Sequence, residues 1–139
     1  MAHTYHQIWV HLIWATKNRH PHLTKVVRHK VFQYIYSEAE HKGFPLDTIN
    51  GIDDHVHCLL SLPPKYAVSS VVKHLKGESS KWINDQELTS EYFEWQAGFS
   101  AFSVSKTTVP HVRKYIQKQE VHHQTKSFAD EMAGFEQYL

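Results

Sequence analysis

Apolar and polar residues alternate near the start of the chain, which predicts a β-strand over residues 5–15. A period of two places successive side chains on opposite faces of an extended segment. One of these faces is entirely apolar and comprises Ile8, Val10, Leu12 and Trp14. The other face is mixed, since His11 lies between Trp9 and Ile13. We therefore expect one face to lie in the core and the other to be partly open to solvent or a ligand.

Spacings of three and four residues predict three helices further along the chain. Apolar residues recur in this way over residues 24–41 and again over residues 68–82, as is typical of helices with one buried face. A third helix is predicted from Thr108 to about His123, because Thr108 can cap it and Pro110 fits its first turn.

Short extended runs predict the remaining strands. Residues 45–51 and 55–62 are separated by two aspartates and form a predicted hairpin, which a pair of prolines ends. Alternating aromatic and small residues within 92–104 predict a further strand. Residues 17–22 are predicted as a polar loop, and residues 127–139 as a short helix or a loose tail.

The order of these elements predicts an α+β fold. Strand, helix, strand, strand, helix and strand in succession is the order of the ferredoxin-like (RRM-like) arrangement, an antiparallel sheet with helices on one face. The third helix is an addition at the carboxyl terminus. No internal repeat or linker interrupts the sequence, so residues 1–139 are expected to form a single domain.

The composition is that of a globular protein. Hydrophobic residues make up 41% and charged residues 21% of the 139 residues, which is enough to bury a core. The sequence has no long uncharged apolar run and no signal-peptide pattern, and Cys58 is its single cysteine. We therefore expect a cytoplasmic protein with no membrane segment and no internal disulfide.

Charge is unevenly distributed, although the formal net charge is only +1. Residues 1–37 and 106–118 contain basic but no acidic side chains, whereas residues 78–94 contain five acidic side chains and one lysine. The two basic stretches could form one positive face that attracts phosphate. They are equally compatible with solvated helix faces.

His55 and His57 are the first candidate site. Residues two apart in a strand point to the same face, so both imidazoles can converge on one metal ion while Val56 faces the core. With 13 histidines in the chain, such a pair also arises by chance, and His20 and His22 form a second one. The two aspartates before His55 could accept hydrogen bonds from the imidazoles or simply form the turn.

A polar stripe along the third predicted helix is the second candidate. Tyr115 and Gln119 are four residues apart and so share a helical face, at a separation of about 6 Å. His111 and His122 lie close to the same stripe, where a structural stripe in the core would carry leucine or valine. The alternative is an ordinary solvated helix side, which the spacing alone does not exclude.

Taken together, these motifs resemble the single-tyrosine HUH transposases, small enzymes of the transposase A type that mobilise bacterial insertion sequences. The REP-associated tyrosine transposases are relatives of the same family. The defining motifs are His-Val-His at residues 55–57 and Tyr-Ile-Gln-Lys-Gln at residues 115–119. The resemblance extends over almost the whole chain, through residues 14–17, 75–82, 95–96, 101–105 and 122–123.

The resemblance implies roles for four residues. His55 and His57 would coordinate a divalent cation, Mg²⁺ or Mn²⁺, with Gln119 as the third protein ligand. Tyr115 would attack a DNA phosphate through its phenol, whose ordinary pKa of about 10 makes activation by a cation or base necessary at neutral pH. The expected function is that of a metal-dependent transposase, which cleaves and rejoins single-stranded DNA at insertion-sequence ends through a 5′-phosphotyrosine intermediate.

The resemblance also implies the partners. The DNA would be single strands folded into hairpins, and the protein would act as a homodimer without a nucleotide cofactor, associated with the nucleoid of a bacterium or archaeon. Candidate phosphate contacts are the basic residues Lys17, Arg19, Lys73, Lys76, Lys81, Arg113 and Lys114.

Two alternative functions are compatible with the same residues. A catalytically inactive module would bind single-stranded DNA hairpins without forming an adduct. A metal-dependent hydrolase would activate water and would tolerate the loss of the Tyr115 hydroxyl. Plasmid relaxases and rolling-circle initiators share the motif of two histidines separated by one hydrophobic residue. Because those proteins are usually longer, a transposase is the preferred interpretation.

Overall fold

The computed structural model describes residues 3–122, 130, 132 and 133. Its four strands are β1 (Trp9–Ala15), β2 (Leu46–Ile52), β3 (His55–Ser61) and β4 (Ser100–Val104). Its α-helices are α1 (Lys25–Lys42), α2 (Val68–Asp85), α3 (Val109–Gln117) and α4 (Gln119–His122). The strands form one antiparallel sheet in the order β2-β3-β1-β4.

The alternation of side chains along the central strand β3 divides the sheet into two faces. Val56, Cys58 and Leu60 point into the main core, which also contains buried residues of α1 and α2. Leu59, one residue out of phase, points to the opposite face and packs with Val109 of α3. Because both faces are covered, β3 is buried along almost its whole length.

The helix α1 ends where the sequence predicts. Gly43 has a left-handed φ of 86°, and its N–H donates to the carbonyl oxygens of Ala39 and Glu40. This arrangement satisfies carbonyl groups that a helix leaves unpaired at its end, and its positive φ favours glycine.

The hairpin between β2 and β3 fixes the position of His55. Asp53 and Asp54 form its turn, and Ile52 pairs directly with His55. A Cβ atom added to Gly51 would overlap the carbonyl oxygen of His55. Only glycine allows the two strands to approach this closely, so Gly51 sets the backbone position of the first candidate ligand.

The predicted α+β ferredoxin-like fold is confirmed, with α1 and α2 on one face of the sheet and α3 added on the other. Two predicted strands are too long. The strand β1 begins at Trp9, which already pairs with the last residues of both neighbouring strands. Residues 92–99 do not extend β4: Trp95 forms an isolated bridge with Thr16, and Gly98 turns the chain with a φ of 87°.

The predicted segment 127–139 lies outside the described residues, apart from residues 130, 132 and 133. Among the helices within them, none combines the length and apolar character that crossing a membrane would require.

Candidate active site

The sheet contributes two buried histidines on the face that α3 covers. His55 and His57 are completely buried, and their ring centroids are 5.1 Å apart. They alternate with the core residues Val56 and Cys58, as the period of two requires. Both imidazoles therefore lie on the same face of the sheet, side by side.

The carboxyl-terminal helices contribute a tyrosine and an amide. The Tyr115 ring is half-buried, and its centroid lies 6.0 Å from that of His57. Gln119 is completely buried at the start of α4, and its Nε2 donates to the carbonyl oxygen of Tyr115 at 3.5 Å. His111, which the predicted stripe included, is exposed.

The third helix does not run unbroken to His123, so that prediction is wrong. The helix α3 ends at Gln117, Lys118 is non-helical with φ −102° and ψ 25°, and α4 begins at Gln119. The physical reason is Asn50 of β2, whose Nδ2 donates to the carbonyl oxygens of Ile116 and Gln117 at 3.0 and 3.1 Å. These carbonyls would otherwise accept from N–H groups of the next helical turn.

The two aspartates before His55 have different roles. The Asp54 carboxylate accepts a hydrogen bond from Nδ1 of His55 at 2.7 Å, whereas the carbonyl oxygen of Asp53 accepts from the N–H of Leu23 at 2.9 Å. A carboxylate on Nδ1 holds the proton there, so the lone pair of His55 is on Nε2. Asp54 thus orients an imidazole, and Asp53 contributes to the backbone of the turn.

Sequence reasoning missed a third buried histidine at this place. His11 of β1 is only 2% exposed, and its Nε2 lies 2.8 Å from Nδ1 of His57 in a hydrogen bond. Its ring centroid lies 6.4 Å from that of Tyr115. The available indication was its position on the mixed face of β1, but its partner is 46 residues away in sequence.

The donor set fits a divalent cation. Among the described residues, Oε1 of Gln119 is buried and accepts no hydrogen bond, a costly state for an amide oxygen unless a ligand uses it. Within the same residues, no three histidine, cysteine or carboxylate side chains converge as a metal cage. The buried amide oxygen of Gln119 is thus a donor atom that could join His55 and His57 around a cation.

Residues 4–119 match the family described as IS200-like transposases. The match spans most of the chain and includes both site histidines, Tyr115 and Gln119. The chain belongs to the IS200-like transposase family. The family resemblance inferred from the sequence is thereby confirmed, and DNA transposition is the activity of this family.

Two curated relatives of this transposase are similar over most of their length. The ISDra2 transposase TnpA of Deinococcus radiodurans is 31% identical over 119 residues, which cover 82% of this chain and 85% of the relative. The transposase for insertion sequence element IS200 of Salmonella typhimurium is 31% identical over 124 residues, covering 86% and 81%.

Two solved structures share the fold of this transposase. A candidate transposase from Deinococcus radiodurans has a TM-score of 0.68 and 26% identity, covering 86% of this chain and 95% of that chain. A REP-associated tyrosine transposase bound to a REP hairpin has a TM-score of 0.65 and 17% identity, covering 88% and 73%. The low identity of the second makes it a likeness of fold alone.

An ion pair between α3 and β2 holds the tyrosine-bearing helix of the transposase against the sheet. Arg113 donates from Nε and Nη2 to the two carboxylate oxygens of Asp47, at 2.8 and 2.9 Å. These hydrogen bonds are the main reason why the pKa of Asp47 lies below its ordinary value. Arg113, a predicted phosphate contact, is thus engaged within the protein.

We expect acid to weaken this attachment. The pKa of Asp47 is lower in the folded protein than in the unfolded chain, so the ion pair stabilises the fold. This stabilisation is complete above the ordinary carboxyl pKa of about 4, and it is lost as the pH falls through the lower pKa of the folded state. Asp47→Asn should therefore cost about 1 kcal/mol at pH 7 and less in acid. Thermal unfolding of the wild type and of Asp47→Asn, at pH 7 and below pH 4, measures the difference in stability between them. A difference that does not shrink in acid would contradict the prediction.

The basic residues of α2 differ in their surroundings. Lys73 and Lys81 are exposed, and Lys81 pairs with the carboxylate of Asp85 at 2.9 Å. Lys76 is half-buried, and its Nζ donates to the carbonyl oxygens of Gln96 and Gly98 at 2.7 and 2.8 Å. Burial lowers the pKa of Lys76, and its ammonium group ties α2 to the segment before β4.

The other predicted DNA contacts lie elsewhere on the molecule. Lys17 and Arg19 are exposed in a short 3-10 helix after β1, and Lys17 pairs with Glu94 at 2.7 Å, which raises the pKa of Lys17. Lys114 is exposed next to Tyr115. The basic residues of α2 and those of α3 belong to helices on opposite faces of the sheet, and the contacts of all seven basic residues to DNA stay predictions.

Proposed function

We propose that this transposase cleaves and rejoins single-stranded DNA by forming a covalent bond between Tyr115 and a 5′ phosphate. The observation that supports this most is the surroundings of the Tyr115 ring. It lies next to His57, and the buried Oε1 of Gln119, one turn further on, accepts no hydrogen bond from the described residues. A half-buried phenol beside two imidazoles and an amide oxygen suits attack on phosphorus assisted by a cation.

The proposed step needs no external energy source, because one bond to phosphorus forms as another breaks. The Tyr115 oxygen forms a bond to phosphorus and loses its proton, while the bond from phosphorus to the 3′ oxygen breaks and that oxygen takes up a proton. The products are a 5′-phosphotyrosine and a free 3′-hydroxyl. Attack by a different 3′-hydroxyl reverses the step, joins new DNA partners and regenerates Tyr115.

The residues that would hold Mg²⁺ or Mn²⁺ are His55, His57 and Gln119. A bound cation would polarise the phosphate and offset the negative charge that develops on the phosphate oxygens. Imidazole ligands suit Mn²⁺ somewhat better than Mg²⁺, and the amide oxygen suits either ion. Asp54 contributes by keeping the lone pair of His55 on Nε2, the nitrogen that would bind the ion.

The proposed substrate is single-stranded DNA folded into hairpins at the ends of an insertion sequence. The solved REP-associated tyrosine transposase with the same fold is bound to a REP hairpin, which supports this choice. Exposed basic residues around the sheet, including Lys17, Lys73 and Lys114, can attract phosphate. We also propose that the working form is a homodimer, as the resemblance to the family implies.

A covalent adduct on one defined peptide tests this function. The protein is incubated with labelled hairpin oligonucleotides from the DNA flanking its gene, with Mn²⁺ or Mg²⁺, and resolved on a denaturing gel. We expect a labelled band at the mass of the protein that chelator abolishes. Because Lys114 and Lys118 bracket the nucleophile, trypsin should release the nucleotide on the four-residue peptide 115–118, which mass spectrometry identifies.

Other outcomes point to other functions. Cleavage without an adduct would replace this proposal by a hydrolase that activates water. Binding of the flanking hairpins without cleavage in either metal would favour an inactive hairpin-binding module. An adduct on a different tryptic peptide would keep strand transfer but assign the nucleophile elsewhere.

A further inference from the structure

A third buried histidine accompanies the two candidate ligands. His11 lies on β1, diagonally across from His57 on β3, and the two rings have centroids 5.0 Å apart. The Nε2 atom of His11 and the Nδ1 atom of His57 are joined by a hydrogen bond of 2.8 Å. Both side chains are almost fully excluded from solvent, so their protons are arranged by the protein and not by water.

This hydrogen bond can have either of two polarities, and they have opposite consequences. If His57 donates from Nδ1, its lone pair is on Nε2, and a metal can bind there. If His11 donates from Nε2 instead, neutral His57 carries its proton on Nε2 and cannot bind a metal through that atom. The polarity of one buried hydrogen bond therefore decides whether His57 can act as a ligand.

The neighbouring histidine indicates which polarity the site uses. The carboxylate of Asp54 can only accept, so His55 carries its proton on Nδ1. A neutral imidazole binds a cation through its unprotonated nitrogen, and the hydrogen bond at the other nitrogen decides which one that is. At His57, Nδ1 is engaged by Nε2 of His11, so His57 can offer a lone pair to a cation only through its own Nε2.

We propose that His11 is a positioning residue that accepts the hydrogen bond from Nδ1–H of His57 and thereby holds the Nε2 lone pair of His57 towards the site. This inference rests on the proposed function, because it gives His57 the role of a ligand. Neutral His11 then carries its own proton on Nδ1. A histidine at this place is otherwise hard to explain, since its ring also lies near the apolar ring of Phe102, where phenylalanine or leucine would be buried at lower cost.

The tautomer of His57 can be measured directly in the metal-free protein. Nitrogen-15 NMR of the imidazoles distinguishes a protonated from an unprotonated nitrogen, and His57→Gln assigns the signals. We expect His57 to carry its proton on Nδ1 in the wild type. His11→Phe removes the acceptor while keeping an aromatic ring, and should move the proton of His57 to Nε2. His11→Gln supplies an amide oxygen as a replacement acceptor and should restore the wild-type tautomer.

Metal affinity supplies the second measurement. Binding of Mn²⁺, followed by the electron paramagnetic resonance signal of the free ion, should weaken by about 10- to 100-fold in His11→Phe, as is typical when the partner of a ligating histidine is lost. It should recover in His11→Gln. Thermal unfolding of each variant verifies that the fold is kept.

The outcomes separate this inference from the proposed function. A proton on Nε2 of His57 in the wild type, or an unchanged tautomer and Mn²⁺ affinity in folded His11→Phe, would overturn the positioning role. If the wild type has the expected tautomer but binds neither Mn²⁺ nor Mg²⁺, the role of His11 stands and the metal-assisted function fails. If His11→Phe does not fold, the wild-type tautomer and His11→Gln decide the question.

Discussion

Replacing Tyr115 by phenylalanine is expected to abolish the covalent adduct and to slow strand cleavage by at least about 10⁴-fold, as is typical when a nucleophile is removed. The substitution deletes one oxygen atom and keeps the ring. That ring packs against the small cluster of Leu59, Val109 and Ile116 under α3. We therefore expect the stability of the variant to stay within about 0.5 kcal/mol of the wild type, so that the loss of activity reports chemistry and not unfolding.

The measurement is the rate of adduct formation and of strand cleavage on a denaturing gel with a flanking hairpin oligonucleotide. Tyr92→Phe is the matched control, because Tyr92 is 76% exposed and lies in the segment before β4. It should leave both rates unchanged. Cleavage by Tyr115→Phe at a rate close to that of the wild type would reject Tyr115 as the nucleophile and favour activation of water.

Replacing Gln119 by leucine is expected to have opposite effects on stability and on metal binding. In the metal-free protein, Oε1 of Gln119 is buried without a donor among the described residues, and an orphaned polar group of this kind costs about 1–3 kcal/mol. Leucine has a similar volume and no polar atom, so the metal-free variant should be more stable by about 1 kcal/mol. Its Mn²⁺ affinity should fall by at least about 100-fold, because a ligand and not merely a ligand's partner is lost.

Thermal unfolding with and without Mn²⁺ measures both effects at once. A cation at about 100 times its dissociation constant stabilises the folded state by about 2.7 kcal/mol, and Gln119→Leu should lose most of this gain. Gln117→Leu is the matched control, since Gln117 is an exposed amide two residues away, and it should keep the gain. An unchanged Mn²⁺-induced shift in Gln119→Leu would remove Gln119 from the ligand set, and a large loss of metal-free stability would contradict the cost assigned to its oxygen.

These two predictions reflect how the site is built. Its polar groups lie in a buried layer between the sheet and α3, where an apolar side chain would be less costly. His11, His57 and Gln119 all occupy such positions. Polar residues kept in a buried layer at the expense of stability are typical of functional sites.

Local sequence patterns determined most of the fold and part of the site. The period of two along residues 55–60 places His55 and His57 on one face and Val56 and Cys58 on the other, whatever lies above them. Helical spacing predicted α1 and α2 within a few residues, and α1 ends at a glycine, Gly43, whose left-handed backbone favours that residue. These features depend on neighbours in the chain, and a sequence records them directly.

The tertiary structure alone decided the remaining features, because each depends on groups that are distant in the sequence. The break at Lys118 follows from Asn50, which is 66 residues away from the carbonyl of Ile116 that it binds. The contact of His11 with His57 joins two strands whose pairing no local pattern specifies. Likewise, Lys76 was predicted to contact DNA because its side chain is positively charged. The fold instead places carbonyl oxygens around its ammonium group. Periodicity determines which face a side chain occupies, and only the packing of elements determines which group it meets there.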